Sequence, residues 1–202
     1  MTGFKAIIFD YGGVLLEWDP YRIFQRFFPD AQSTRAFMDE IDFAEWNRQQ
    51  DRGRTFAEAI AERSTRFPQY ADILAAYNTY WPDAVVGQID GTVAILHRLK
   101  AAGYPLYGLS NYSAEKFRLD RLRFDYFNLF DDMVISGEVG LLKPEPAIFR
   151  LLLQKIGYAP QDCIFIDDIP ANVQGAREIG IHAIQFHSPE QLEHDLQGLG
   201  VL

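Results

Sequence analysis

Cysteine is almost missing from this chain. Cys163 is the sole thiol among 202 residues, so no disulfide can form within it, and its place in an apolar run marks a packed sulfur rather than a reactive one. Also missing is any apolar stretch long enough to span a membrane. Near the N-terminus Asp10 interrupts the hydrophobic run after a few residues, against the signal-peptide pattern. No cluster of lysine and arginine offsets the formal charge of −9, which disfavours nucleic acid and anionic membrane surfaces as partners. The four histidines, His97, His182, His187 and His194, show no ligand spacing and so give no sign of zinc. Internal repeats and low-complexity segments are absent as well. A cytoplasmic globular protein is the simplest expectation, and any anionic ligand then needs local positive charge from a metal ion, a lysine or helix N-termini.

What is present falls into two textures. From about Pro20 to Pro82 the chain reads as helix after helix: Tyr21 to Phe28, Ser33 to Asn47, Thr55 to Arg66 and Tyr70 to Tyr80. Apolar residues there recur at three- and four-residue spacing, as at Phe56, Ala59 and Ile60. After Asp90, helices alternate with short, wholly apolar strands at Pro105–Leu109, Met133–Ser136, Cys163–Ile166 and His182–Phe186. With Lys5–Phe9 these predict an α/β fold, a Rossmann-like parallel sheet covered on both faces. The expected division is an α/β core of residues 1–16 and 87–202 with an inserted helical cap at 17–86, sitting over the sheet's carboxyl edge, where ligands of open α/β sheets bind.

Four places at that edge carry chemistry: Asp10 after the first strand, Ser110-Asn111 after the second, Lys143 in Leu142-Lys-Pro-Glu145, and Asp167-Asp168. Singly, each is ordinary turn or helix-cap material. In register, each has a part in phosphoryl transfer through an aspartyl-phosphate. Asp10 would attack phosphorus in line, Ser110 would hold phosphoryl oxygens, and Lys143 would neutralise the nucleophile and the transferring group. Asp168, supported by Asp167, would hold a cation with Asp10. An all-oxygen donor set favours Mg²⁺.

Asp10-Tyr-Gly-Gly-Val14, Leu109-Ser-Asn111, Leu142-Lys-Pro144 and Ile166-Asp-Asp-Ile-Pro-Ala-Asn172 resemble the four motifs of the haloacid dehalogenase-like hydrolase superfamily, over essentially the whole chain. Motif type and spacing are most similar to the small bacterial sugar-phosphatase branch that includes α-D-glucose-1-phosphatase. The resemblance implies Asp10, the Gly12 carbonyl and Asp168 as Mg²⁺ ligands, Ser110, Asn111 and Lys143 as phosphate contacts, and Asn172 as a partner orienting the acidic pair or Lys143. It implies a small phosphorylated metabolite, such as a sugar phosphate, as substrate.

One residue departs from the superfamily pattern. Gly12 stands where most phosphatases of this kind carry an Asp that protonates the leaving oxygen and later activates water. Loss of such a group removes a factor of about 10² to 10⁴ in rate. Three accommodations are open: an acid from the cap, with Glu17, Asp19 and Asp51 as candidates that could equally be surface or hinge carboxylates; a substrate with a good leaving group; or loss of catalysis, leaving a phosphometabolite-binding protein. Metal-free 2-haloacid dehalogenation is a further alternative, disfavoured because Asp167 and Asp168 without a cation would repel each other and a carboxylate substrate. For specificity, the connection carrying Trp46, Asp51 and Arg52 could reach the cleft. There Trp46 either stacks on a sugar face or packs in the cap, and Arg52 either binds an anion or is solvated. Tyr11 is expected to pack beneath the sheet.

Overall fold

The computed structural model describes residues 3–202. Among these residues seven strands form: β1 (Ala6–Phe9), β2 (Leu16–Trp18), β3 (Val85–Gln88), β4 (Leu106–Ser110), β5 (Asp132–Ile135), β6 (Cys163–Asp167) and β7 (His182–Gln185). Five of them make a parallel sheet in the order β5-β4-β1-β6-β7. Parallel strands buried on both sides need apolar residues at every position, and all four residues of β1 are buried. Their side chains alternate: Ile7 and Phe9 enter one hydrophobic cluster with Leu96, Phe127, Ile164 and Ile166, while Ala6 and Ile8 enter another with Leu109, Phe149, Leu152 and Phe165. The expected α/β architecture is the observed one.

The strand order places the site. From β1 the chain runs outward on one side through β4 and β5, then returns to build β6 and β7 on the other. Strand order therefore reverses about β1, and the crevice beyond its carboxyl end is the topological switch point at which ligands bind. Asp10 is the next residue.

Between β2 and β3 lie the helices Tyr21–Phe24, Ala31–Glu40, Phe43–Asp51, Phe56–Arg66, Ala71–Thr79 and Trp81–Ala84. β2 and β3 pair antiparallel, a two-strand link too short to register in the sequence pattern, and the boundaries drawn at 16/17 and 86/87 fall inside it. The continuous helix expected over 33–47 is broken. Ala31–Glu40 stops, Asp42 takes a left-handed φ of 49°, and Phe43–Asp51 begins. Asp tolerates that conformation, and the break lets both Ile41 and Phe43 point into the core. Phe56–Arg66 opens on a capping box, with Thr55 and Glu58 satisfying each other's backbone N–H groups. Aromatic packing of Phe24, Phe37, Phe43, Trp46, Phe56 and Tyr77 fills this helical segment, in one cluster with Phe9 and Tyr11 of the sheet side. Phe27 and Tyr80 are not part of it, being 39% and 40% exposed. A last helix, Pro189–Gly198, is capped by Ser188. No helix among the described residues is long and apolar enough to cross a membrane.

Candidate active site

β1, β4 and β6 end side by side, so three separate stretches of sequence deliver polar groups to one spot. Lys143 joins them from the loop before helix Pro146–Ile156, not from the tip of β5. Its side chain is fully enclosed, and its ammonium lies 2.8 Å from Asp10 Oδ1 and 2.7 Å from Asp167 Oδ2, and donates to Leu109 O at 2.9 Å. Burial works to strip the Lys143 proton, but the charges of Asp10 and Asp167 outweigh it and its pKa stands above the ordinary lysine value. It is a fixed positive charge.

Asp10 is 6% exposed. Burial, the largest influence, pushes its pKa up to about 7; Lys143 opposes this, Asp167 reinforces it, and the Ser110 hydroxyl donates to the carboxylate. The Tyr11 N–H also donates to Oδ1 at 2.7 Å.

Asp167 is wholly buried and fully committed. Its Oδ1 accepts from the Ile169 N–H at 2.9 Å and from Asn172 Nδ2 at 3.0 Å, and its Oδ2 accepts from Lys143 and, at 3.1 Å, from Asn172. Asp168 is less enclosed, and burial followed by the Asp167 charge raises its pKa. Its carboxylate packs on Gly13: a Cβ there would lie 2.3 Å from Asp168 Oδ2, and Gly13 has a φ of +74°. Only glycine meets both demands.

One oxygen from each of Asp10, Asp167 and Asp168 can be chosen so that all three lie within 4.8 Å of one another. Three carboxylates face the single ammonium of Lys143, so the cluster has an unbalanced negative charge. An unpaired buried carboxylate is costly, and a hard divalent cation with oxygen ligands balances it. The donor set therefore fits Mg²⁺.

Beside this cluster opens a small cleft of about 70 Å³, lined by Gly12, Leu16, Trp18, Asn47, Asp51, Trp81, Val85, Asn111 and Tyr112. A Cβ at Gly12 would meet nothing within 4 Å, so the position where an acid is wanting is open ground.

These observations agree with the motif reading, and a family model confirms it: residues 4–180 match the haloacid dehalogenase-like hydrolases. The chain belongs to this family. Among solved structures, the haloacid dehalogenase-like family enzyme BT-2542 of Bacteroides thetaiotaomicron, in complex with magnesium and inorganic phosphate, superposes with a TM-score of 0.72 at 25% identity, over 95% of this chain and 98% of that one. The sesquiterpene phosphatase astK of Aspergillus oryzae is 28% identical over 89% of this chain and 88% of its own length. Acyl-CoA dehydrogenase family member 10 of Mus musculus is 29% identical over 97% of this chain, which spans only 19% of that relative's length.

Within this haloacid dehalogenase-like site, the candidate residues divide between the cleft and the packed interior. Trp46 is not in the cleft: it is fully buried, packs against Phe43 and Tyr77, and donates Nε1–H to Ala59 O at 3.1 Å. The alternating faces of helix Phe43–Asp51 decide this, turning Trp46 and Gln50 inward. Arg52 neither binds the cleft nor stands free, because its guanidinium pairs with Glu145. Asn111 lines the cleft, yet both ends of its amide clasp the Lys143 backbone, accepting from its N–H at 2.9 Å and donating to its C=O at 3.0 Å. Its amide braces the lysine loop. Of the three candidate replacement acids, Glu17 is exposed and Asp19 accepts from the Tyr21 N–H at 3.0 Å near Arg22; Asp51 lines the cleft. Tyr11 lies under the sheet, stacked on Phe117 with its rings 5.9 Å apart.

Residues that sequence reasoning missed are those that make the cleft's apolar wall: Leu16, Trp18, Val85 and Tyr112, with Asn47 beside them. They come from four segments far apart in the chain, so no local signal marks them. Gly13 had a signal in the Gly12-Gly13 pair.

Proposed function

We propose that the protein is a Mg²⁺-dependent phosphomonoesterase acting on a small phosphorylated metabolite, with Asp10 as nucleophile. The observation that carries this reading is the placement of Asp10 2.8 Å from the buried Lys143 ammonium, within a carboxylate cluster whose charge calls for a cation. Asp10 and Asp168, with the Gly12 carbonyl, would hold Mg²⁺, and the cation would offset charge on the phosphoryl oxygens. Asp167, its oxygens already engaged, would orient Lys143 rather than bind metal directly, and Asn172 would hold Asp167 in turn. The magnesium and phosphate in the Bacteroides neighbour support the reading.

In the mechanism, an Asp10 oxygen attacks phosphorus while Lys143 and Ser110 hold the transferring group. The bond to the leaving oxygen breaks, giving an aspartyl-phosphate. Lys143 stays protonated throughout and is suited to stabilise charge, not to donate a proton. Water then attacks phosphorus, releasing phosphate and restoring Asp10. The helices between β2 and β3 would act as a cap that excludes bulk water and reads the leaving group.

Two leaving-group classes fit the cleft. A sugar ring could lay its apolar face on Trp18 with hydroxyls toward Asn47, in line with the motif resemblance. An apolar chain or ring is favoured by the wall of Leu16, Trp18, Trp81, Val85 and Tyr112 and by the likeness to a sesquiterpene phosphatase. A phosphate-release assay over sugar, triose, prenyl and aryl phosphates, with Mg²⁺ and with EDTA, tests both. Mg²⁺-dependent release from at least one ester is expected. Release of halide from 2-haloacids in EDTA, with no phosphate release from any ester, would overturn the proposal.

A further inference from the structure

The acid missing at Gly12 can be supplied from the opposite wall. We propose that Asp51, at the end of helix Phe43–Asp51, protonates the leaving oxygen and afterwards receives the proton of the attacking water. The inference rests on the phosphomonoesterase reading and adds a catalytic residue to it.

Four observations converge on Asp51. It lines the same cleft as Gly12, where a Cβ at position 12 meets nothing. Its carboxylate is held in place, accepting from Asn47 Nδ2 at 3.0 Å and from the Ser113 N–H, while Asn47 in turn accepts from the Tyr77 hydroxyl. Its main-chain carbonyl accepts from the Ser136 hydroxyl just beyond β5, pinning the helix end to the sheet. It is also close enough to Lys143 to feel its charge. A carboxyl that borders the cleft, is braced by two donors and lies within the influence of Lys143 is placed to serve as a general acid.

Its protonation suits the role. Burial pushes the Asp51 pKa up to about 7, against the Ser113 hydrogen bond and the Lys143 charge. The other titratable groups near it are the phenols of Tyr77 and Tyr112, both held neutral by burial. At neutral pH the carboxyl is thus substantially protonated without losing the capacity to act as a base.

The cycle balances. As the P–O bond breaks, the leaving oxygen takes the Asp51 proton and departs as an alcohol. Water then forms a bond to phosphorus, gives a proton to Asp51, and the Asp10–phosphorus bond breaks. Phosphate leaves and both carboxyls return to their starting states.

The test compares leaving groups, because an acid matters for an alkoxide and hardly at all for a nitrophenolate. Asp51→Asn keeps the size of the side chain and an oxygen to accept from Ser113. Its kcat/KM with Mg²⁺ should fall by about 10² to 10⁴ on butyl phosphate and by less than about tenfold on 4-nitrophenyl phosphate. Adding Gly12→Asp should restore butyl phosphate turnover from the other wall. In the wild-type protein, kcat/KM for butyl phosphate should decline above pH about 7, whereas that for 4-nitrophenyl phosphate should not. The proposal is overturned by equal losses on the two esters, by no loss on either, or by a wild-type pH profile that is the same for both. If the wild-type protein hydrolyses neither ester nor any member of the wider panel, the phosphomonoesterase reading itself fails. Hydrolysis of 4-nitrophenyl phosphate alone, with wild type inert on every alkyl ester, leaves that reading intact and overturns the role of Asp51.

Discussion

The two walls of the cleft are built on different principles. The sheet wall is a closed circuit of charge: Asp10, Lys143, Asp167 and Asn172 are all buried, and every polar atom of Asp167 and Lys143 that the fold encloses finds a partner within 3.1 Å. The second wall, built from β2, β3, Trp81 and Tyr112, is mostly aromatic and aliphatic, with Trp18 36% exposed, and its polar groups are few. A charge network in a low-dielectric setting is rigid, because any displacement strands an ion. An apolar wall tolerates change at modest cost. Such a division suits an enzyme whose chemistry is constant and whose substrate varies.

Substitutions can break or sharpen that contrast. On the sheet wall, losses should be large and the same for every ester. Asp10→Asn should lower turnover by on the order of 10⁴ or more, since removing a nucleophile removes a whole catalytic unit; residual activity near wild type on any phosphate ester would remove Asp10 from that role. Lys143→Met leaves Asp10 and Asp167 buried without a counter-charge. Breaking a buried pair in this way costs about 3–5 kcal/mol, so chemical denaturation should show a stability loss of that size along with lost turnover.

The apolar wall should discriminate between esters. Trp18→Ala removes a half-exposed indole, and loss of its contact is worth about 1 kcal/mol. KM for the preferred ester should rise about fivefold with kcat nearly unchanged, a split that steady-state kinetics measures. An equal fall in kcat for every ester would erase the distinction between the walls. Arg52→Ala breaks an exposed pair with Glu145, worth about 0–1 kcal/mol, and should change the melting temperature by no more than a few degrees.

Asp51 supplies a stability prediction with a definite sign. Its folded pKa of about 7 lies above the ordinary aspartate value of 3.8. The folded state therefore binds the proton more tightly, and the associated stabilisation is complete below pH about 4 and lost as pH rises to about 7. Asp51→Asn has no carboxylate to bury, so it should be more stable than the wild type at pH 8 by a margin that shrinks toward pH 5. Thermal melts at the two pH values check this. A stabilising substitution that slows alkyl-ester turnover is the signature of a residue kept for function.

Much of this was legible in one dimension. Apolar strands that run straight into Asp10 and Asp167-Asp168 announce a parallel sheet with acids at its carboxyl edge, because both the periodicity and the position of a strand tip are local properties. Gly12 and Gly13 look equivalent in the sequence and are not. Gly13 sits where Asp168 leaves no room for a Cβ, while Gly12 borders open space. Trp46 and Asp51 lie five positions apart on one helix, yet one enters the aromatic core and the other the cleft; which face turns inward depends on packing partners that are distant along the chain.

By itself, then, the sequence determined the fold class, the family and the four groups of residues at the sheet edge, since these rest on patterns a few residues long. Only the tertiary structure decided which acidic candidate lines the cleft with Gly12, that Asn111 clasps the lysine loop, and that the cleft has an apolar wall. The reason is physical. Strand tips are aligned by backbone hydrogen bonds whose register follows from local pattern, whereas the rotation and seating of a helix are set by the sum of weak side-chain contacts over the whole core.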